Sequence, residues 1–256
     1  MIVEIGGTQI QIETGDPVFR AMLQARYSHF DAPAAEKRIR LDVEIADGNA
    51  DADLRVSCRD GVWDIRRGDF LATYDPLQRH GQVRQSANPW SIDTVIRIVH
   101  SLELATAGGF LLHAASAIRD GKAYVFTGPS GAGKTTLSRL APASAALLTD
   151  EISYIRADAG GFRAWGTPFA GELGTPGPNA SAPVAALYFL EHGPQNHIAR
   201  VAPAEALRAL MKNILFFADD ARLVGGIFET AHHFLEKTEA FRLAFVPDAG
   251  VWSHIS

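Results

Sequence analysis

The sequence predicts an α/β protein: a phosphate-loop domain with a central mixed sheet, preceded by an antiparallel β-rich region. Three observations carry that expectation. A short β-prone run, Ala123 to Thr127, leads into Gly128-Pro129-Ser130-Gly131-Ala132-Gly133-Lys134-Thr135, an unbroken match to the phosphate-binding pattern GxxxxGK[ST] (Walker A), and a helix-like segment, Thr136 to Leu140, follows it. The chain after Phe110 alternates strand-like and helix-like segments. The first third instead alternates apolar and polar residues at period two between turn signals.

Met1 to Glu13 reads as a hairpin, IVEI and IQIE around Gly6-Gly7. Pro17 to Tyr27 is a short helix candidate, and Asp31 to Lys37 a polar loop. Arg38 to Ile45, RIRLDVEI, alternates like a strand with one buried face. Asp47 to Asp53 is a turn-rich link. Leu54 to Cys58, Trp63 to Arg67 and Phe70 to Tyr74 are three further strands, separated by the hairpin signals Asp60-Gly61 and Gly68-Asp69. Met1 to Gln85 is therefore expected to be an antiparallel β layer, and residues 1–88 a region distinct from the nucleotide domain, 89–256. Pro89 to Thr106 changes character: Ser91 can cap a largely apolar helix that stops at Gly108-Gly109.

Phe110 to Ile118 reads as a strand, Arg119 to Lys122 as a tight turn, and Ala145 to Thr149 as a third strand after the loop helix. Gly160 to Pro183 is rich in Gly, Pro and small polar residues and reads as one long loop, of the kind that is functional or disordered. Val184 to Glu191 is a strongly apolar strand. Pro203 to Phe217 and Asp219 to Lys237 are helix candidates, and Ala240 to Val246 a closing strand.

Composition limits the partners. The formal net charge of -5, with no Lys/Arg run, speaks against nucleic acid. No apolar run reaches membrane-spanning length, and the N-terminus does not read as a signal peptide. Cys58 is the single cysteine, so no internal disulfide is expected and the default compartment is the cytoplasm.

The chemistry explains the loop's residue types. Wrapping a triphosphate requires successive backbone N–H groups to point inward, and Gly128, Gly131 and Gly133 remove the Cβ atoms that would block that curvature. Lys134 supplies a point charge for the β- and γ-phosphates, and the Thr135 hydroxyl suits Mg²⁺. Pro129, Ser130, Ala132 and Thr136 complete the cradle. Asp150 ends the apolar run ALLT, at the tip of a strand expected beside the loop strand, where ligands of open α/β sheets bind. An acid there either holds the Mg²⁺ shell or accepts the proton of an attacking hydroxyl, and Glu151 can take the other role. Glu172, in the Gly/Pro-rich stretch, is a further metal candidate. His113 lies in the strand before the loop strand. His192 and His197 border a Gly-Pro turn, and His232-His233 sit mid-helix; none has zinc-ligand spacing. Arg139, Arg156 and Arg163 are all candidates to reach phosphate.

These residues resemble the HPr kinase family, which shares a phosphate-loop fold with the ATP-dependent phosphoenolpyruvate carboxykinases. His113 precedes Lys134 across a two-strand hairpin, GPSGAGKTT follows, and Asp150-Glu151 comes only one helix and one strand later. GTPFAGE followed by APVAALYFLEHG is similar to the HPr-kinase-related group. The resemblance covers Gly109 to Gly193. It implies Mg²⁺-dependent phosphoryl transfer from ATP to a seryl hydroxyl on a protein, with Asp150 as general base. Thr135, with Glu151 or Glu172, would serve the metal, and His113 would lie near the transferring phosphate. The chain looks more like the smaller HPr-kinase-related enzymes found alongside ribosomal peptide modification, including kinases of lasso-type precursor peptides. That implies a peptide or small-protein acceptor at Ser or Thr, and relatives that assemble as homo-oligomers. Two rival readings stand beside it: a small-molecule hydroxyl kinase, and a nucleotide-sensing scaffold without activity.

Overall fold

The structure, a computed structural model, describes residues 1–48 and 52–255. Asn49 to Asp51, the middle of the expected Asp47 to Asp53 link, lie outside the described residues. The architecture is α/β with mixed sheets and a β-rich N-terminal region. The chain divides into two compact units, Met1–Glu103 with Phe216–Ala221, and Leu104–Leu215 with the segment from Arg222 onward. The division falls inside a helix, later in the chain than the composition change at residues 88 and 89.

The first unit contains β1 (Ile2–Ile5), β2 (Thr8–Thr14), α1 (Pro17–Arg26), β3 (Ile39–Ile45), β4 (Arg55–Arg59), β5 (Val62–Arg67), β6 (Phe70–Asp75), β7 (His80–Gln85) and most of α2 (Pro89–Ala107). Its strands lie in the order β1-β2-β3-β7-β6-β5-β4. The expected antiparallel layer is corrected here. β2 runs parallel to β3, and β3 parallel to β7, within an otherwise antiparallel sheet. The reason is connectivity. After β2 the chain crosses over through α1, which Asp16 caps by accepting the Phe19 amide at 2.8 Å and which buries Phe19 and Leu23. A crossover of that kind returns a strand in parallel, where a tight turn returns it antiparallel. β7 was not foreseen, because HGQVRQ carries one large aliphatic residue, Val83.

Polar groups fasten α2 within this unit. Asp93, 1% exposed, receives the Arg26 guanidinium and the Tyr27 hydroxyl. Ser91 donates to Asp69 at 2.6 Å, and Tyr74 donates to Glu103 at 2.7 Å. The helix is capped by Asn88, which accepts the Trp90 and Ser91 amides at 3.0 Å each, rather than by Ser91.

The second unit contains β8 (Gly109–Arg119), β9 (Lys122–Thr127), α3 (Lys134–Arg139), β10 (Ala146–Thr149), β11 (Ile152–Asp158), β12 (Gly161–Trp165), β13 (Ser181–His192), β14 (His197–Arg200), α4 (Pro203–Met211), β15 (Ile214–Leu215), α5 (Ala221–Lys237) and β16 (Glu239–Phe245). Two long strands each serve two sets of neighbours. The start of β8 pairs with β11 and β15, and its end with β9 and β10. The start of β13 pairs with β12, and its later part lies between β9 and β16, parallel to both. Thr127 is level with Phe189, and His192 with Phe245, so β9, β13 and β16 end at one edge. Alternation along β9 divides the core: Val125 packs with Phe110, Leu187 and Phe234, and Phe126 with Leu137, Tyr188 and Trp252.

Three expectations change in this unit. Gly160 to Pro183 is not one loop. Its start is β12, whose Phe162 and Ala164 are buried, and Ser181 already belongs to β13. The connection that remains, residues 166–180, is packed closely: a Cβ on Gly177 would stand 1.7 Å from the Leu148 carbonyl oxygen. β10, which leads to Asp150, is not beside β9; β8 lies between them. Pro203 to Phe217 is a shorter helix, α4, followed by β15, because Asn213 turns the chain against β8.

Candidate functional site

The Gly128–Lys134 loop joins β9 to α3. Gly131 and Gly133 take φ of +80° and +100°, conformations that a Cβ makes costly. At Gly133 there is a second reason: an added Cβ would stand 2.6 Å from Cζ of Phe245. Pro129, Ser130 and Gly131 are exposed, and Ala132 is buried with its amide donating to the Pro129 carbonyl at 3.1 Å.

Lys134 heads α3 and is 7% exposed. Its Nζ donates to the carbonyls of Gly128 at 3.0 Å and Pro129 at 3.3 Å. Among the described residues no carboxylate forms an ion pair with it. Burial pushes its pKa down, partly opposed by the charge of Glu151. Thr135 and Thr136, next in the helix, are half-buried.

His113 in β8 lies opposite Ile152 of β11. Its carbonyl accepts the Thr127 hydroxyl at 2.9 Å, and its amide donates to the Asn213 carbonyl at 2.9 Å. This places the ring close to the end of the loop strand. Nε2 stands 3.8 Å from Oε1 of Glu151, within ion-pair range and beyond hydrogen-bond length. Burial and then the Lys134 charge hold the imidazole below its ordinary pKa, and Glu151 opposes them.

Asp150 and Glu151 follow β10. Asp150 is 2% exposed, and its two oxygens accept the amides of Gly171 at 2.9 Å and Leu173 at 3.0 Å. Gly171 permits that approach, since a Cβ there would stand 2.8 Å from Oδ2 of Asp150 and 3.0 Å from Cβ of Glu151. It is therefore the backbone of the 166–180 connection that meets Asp150. Glu172, between the two donating residues, is itself exposed. Among the described residues no three His, Cys, Asp or Glu side chains are grouped to hold a metal.

Of the residues singled out in the sequence, His113, Lys134 and Glu151 are brought into one electrostatic neighbourhood. Arg163 is engaged with Ser181 at 3.1 Å and with Asp158 at 3.7 Å. His232 and His233 face Glu236 on the exposed side of α5. One contact was missed by sequence reasoning. His192, at the end of β13, places Nε2 2.8 Å from the carbonyl oxygen of Gly131. The signal that could have found it is the strong apolar run before it, which marks a buried parallel neighbour of the loop strand.

Residues 83–225, more than half of the chain, match the family described as SynChlorMet cassette protein ScmC. The chain belongs to the ScmC family. The ScmC span starts in β7 and takes in the Gly128–Lys134 loop, Asp150, Glu151, Glu172 and His192, ending near the start of α5. No curated protein matches the chain. Among the described residues no helix is long and apolar enough to cross a membrane.

Proposed function

We propose that this protein is an ATP- and Mg²⁺-dependent kinase that phosphorylates a Ser or Thr hydroxyl on a peptide or small protein. The single observation that carries this reading is Lys134: a buried ammonium where the glycine loop ends, bonded among the described residues to loop carbonyls, with Glu151 and His113 in its field. A buried cation held by carbonyls, with no carboxylate bonded to it among the described residues, is costly to maintain, and an anion is the chemistry that answers it.

The residues fit the groups the reaction needs. The loop amides from Gly128 to Thr136 and Lys134 would hold the triphosphate. Thr135, with Glu151 or Glu172, would serve Mg²⁺. That ion is commonly held by one or two carboxylates together with substrate phosphates, so a protein cage of three acids is not required. Bound ATP supplies the phosphoryl group. Asp150 would accept the acceptor hydroxyl's proton as the new O–P bond forms, at a lone pair that the Gly171 and Leu173 amides leave free. The bond from the γ-phosphorus to the β–γ bridging oxygen breaks, ADP leaves, and Lys134 would compensate the charge that develops on it. His113, held largely neutral at pH 7 by burial and Lys134, adds no further positive charge to repel Lys134 and leaves Glu151 available to metal.

The resemblance to the HPr kinase family supports the same reading. A family described by its cassette directs the search for the acceptor to products encoded beside the gene. The test is a phosphotransfer assay with γ-labelled ATP, Mg²⁺ and those small proteins and peptides, read by mass spectrometry. One added phosphate on Ser or Thr, lost in Lys134→Ala, is the expected result. ATP binding without any labelled peptide would transfer the assignment to a small-molecule kinase or a nucleotide sensor.

A further inference from the structure

The ring of His192 is hydrogen-bonded to the glycine loop from the end of a paired strand. β13 runs three residues past the level of Thr127, so Leu190, Glu191 and His192 lie alongside the loop's beginning. A Cβ on Gly128 would stand 3.2 Å from the Leu190 carbonyl oxygen, which measures how closely strand and loop run. His192 is in register with Phe245 of β16, whose ring packs beneath Gly133. The turn after it is tied to the end of β16 and to the residue that follows it: the Gly193 amide donates to the Phe245 carbonyl at 3.2 Å, and Asn196 Oδ1 accepts the Val246 amide at 3.0 Å.

The contact has a defined polarity. A carbonyl oxygen only accepts, so Nε2 of His192 carries the proton and donates to Gly131. Gly131 is exposed and stands at φ +80°, midway between the two other glycines of the loop. Such a segment is expensive to order, and a ligand that needs it ordered bears that cost in affinity. A donor from outside the loop holds the Gly131–Ala132 peptide in place before the ligand arrives. By polarising that peptide it also makes the Ala132 N–H a stronger donor.

We propose that His192 is a positioning residue of the nucleotide site, a latch that pre-orders the glycine loop by hydrogen bonding to Gly131 and so raises affinity for polyphosphate. The inference rests on the proposed nucleotide binding and deepens it. The latch acts on the loop, so it governs the phosphate chain and not the base. Removing it weakens ATP and inorganic triphosphate alike. One hydrogen bond of this kind corresponds to roughly a two- to tenfold change in affinity.

The experiment is calorimetric titration of the full chain with Mg·ATP and with Mg·triphosphate, for wild type, His192→Ala and His192→Gln, alongside melting curves without ligand. The expected result is a two- to tenfold rise in both dissociation constants for His192→Ala, an unchanged melting temperature, and recovery in His192→Gln, whose side-chain amide can donate in place of Nε2–H. Equal binding by wild type and His192→Ala overturns the latch while nucleotide binding stands. Weakening in both variants together with a lowered melting temperature also overturns it, since a damaged strand end would then explain the loss. No binding of ATP by the wild type overturns the nucleotide site itself, and the latch with it.

Discussion

In the first unit the acids that hold α2 are answered by side-chain donors. Asp93 receives a guanidinium and a phenol, Arg67 grips Asp69 with both carboxylate oxygens at 2.6 and 2.7 Å, and Ser91 adds a third bond to Asp69. In the second unit Lys134 has, among the described residues, carbonyls for hydrogen-bond partners, and His113 and Glu151 stand 3.8 Å apart, beyond hydrogen-bond length. Both units desolvate charge, but the acids at α2 are closed by side-chain donors, whereas Lys134, His113 and Glu151 share a field without hydrogen bonds to one another. Closed networks secure a helix on a sheet. Open ones keep charge available for something that arrives.

The largest way to sharpen that contrast is Asp150→Asn. If Asp150 is the base, transfer falls about 10²–10⁴-fold while ATP still binds. Rapid-quench transfer with labelled ATP, paired with an ATP titration, checks it. Because Asp150 also holds the amides of Gly171 and Leu173, a loss of ATP affinity would show that it acts by ordering the 166–180 connection instead.

Asp93→Ala probes the closed side. It leaves Arg26 and Tyr27 facing a void, and breaking such a pair costs roughly 3 kcal/mol. Urea unfolding should record that loss, while ATP affinity per folded molecule stays at the wild-type value. A parallel drop in affinity would mean that the contrast between the units is false.

Acid offers a third probe. His100 is fully buried and its pKa is pushed down to about 3 by desolvation, and burial lowers His113 as well. Both are neutral in the folded chain at pH values where the unfolded chain protonates them. Their contribution to stability is therefore complete above about pH 6.5 and falls on acidification toward their folded values. The steepest slope for His100 alone is about 1.4 kcal/mol per pH unit. Urea midpoints at pH 7 and pH 5 should show it, and His100→Leu should flatten most of the slope. An equal slope in that variant would place the acid sensitivity elsewhere.

The smallest effect on stability belongs to Gly133→Ala. Its φ of +100° and the Phe245 ring together cost about 1 kcal/mol or more. Its effect on the open side should be larger in kind: ATP affinity drops at least tenfold as the loop shifts. Wild-type affinity in this variant would separate the glycine geometry from ligand binding.

Much of the candidate site was legible before the fold. GPSGAGKTT and Asp150-Glu151 stand out because each is a short contiguous pattern of residue type and spacing. His192 was harder to read: the apolar run before it marks a buried strand, but its partner lies 61 positions earlier in the chain and nothing local names that partner. β7 and β12 were hidden for a different reason. HGQVRQ and GFRAW carry too few large apolar residues to declare a period, and each becomes a strand because neighbours on both sides supply its hydrogen bonds. The same holds for strand direction: an alternating run is equally compatible with parallel and antiparallel partners, so β2, β3 and β7 could not be oriented from their residues.

The sequence by itself determined the α/β class, the β-rich first region, the hairpin into the glycine loop and the identity of the charged residues around it. Those are local properties, set by side-chain period, turn chemistry and the absence of Cβ atoms. Only the tertiary structure decided that β8 separates β10 from β9, that the backbone of residues 166–180 occupies Asp150, and that His192 meets Gly131. Each depends on which strands lie side by side. That choice is made by burying many distant apolar residues at once, and no short stretch of chain contains the information.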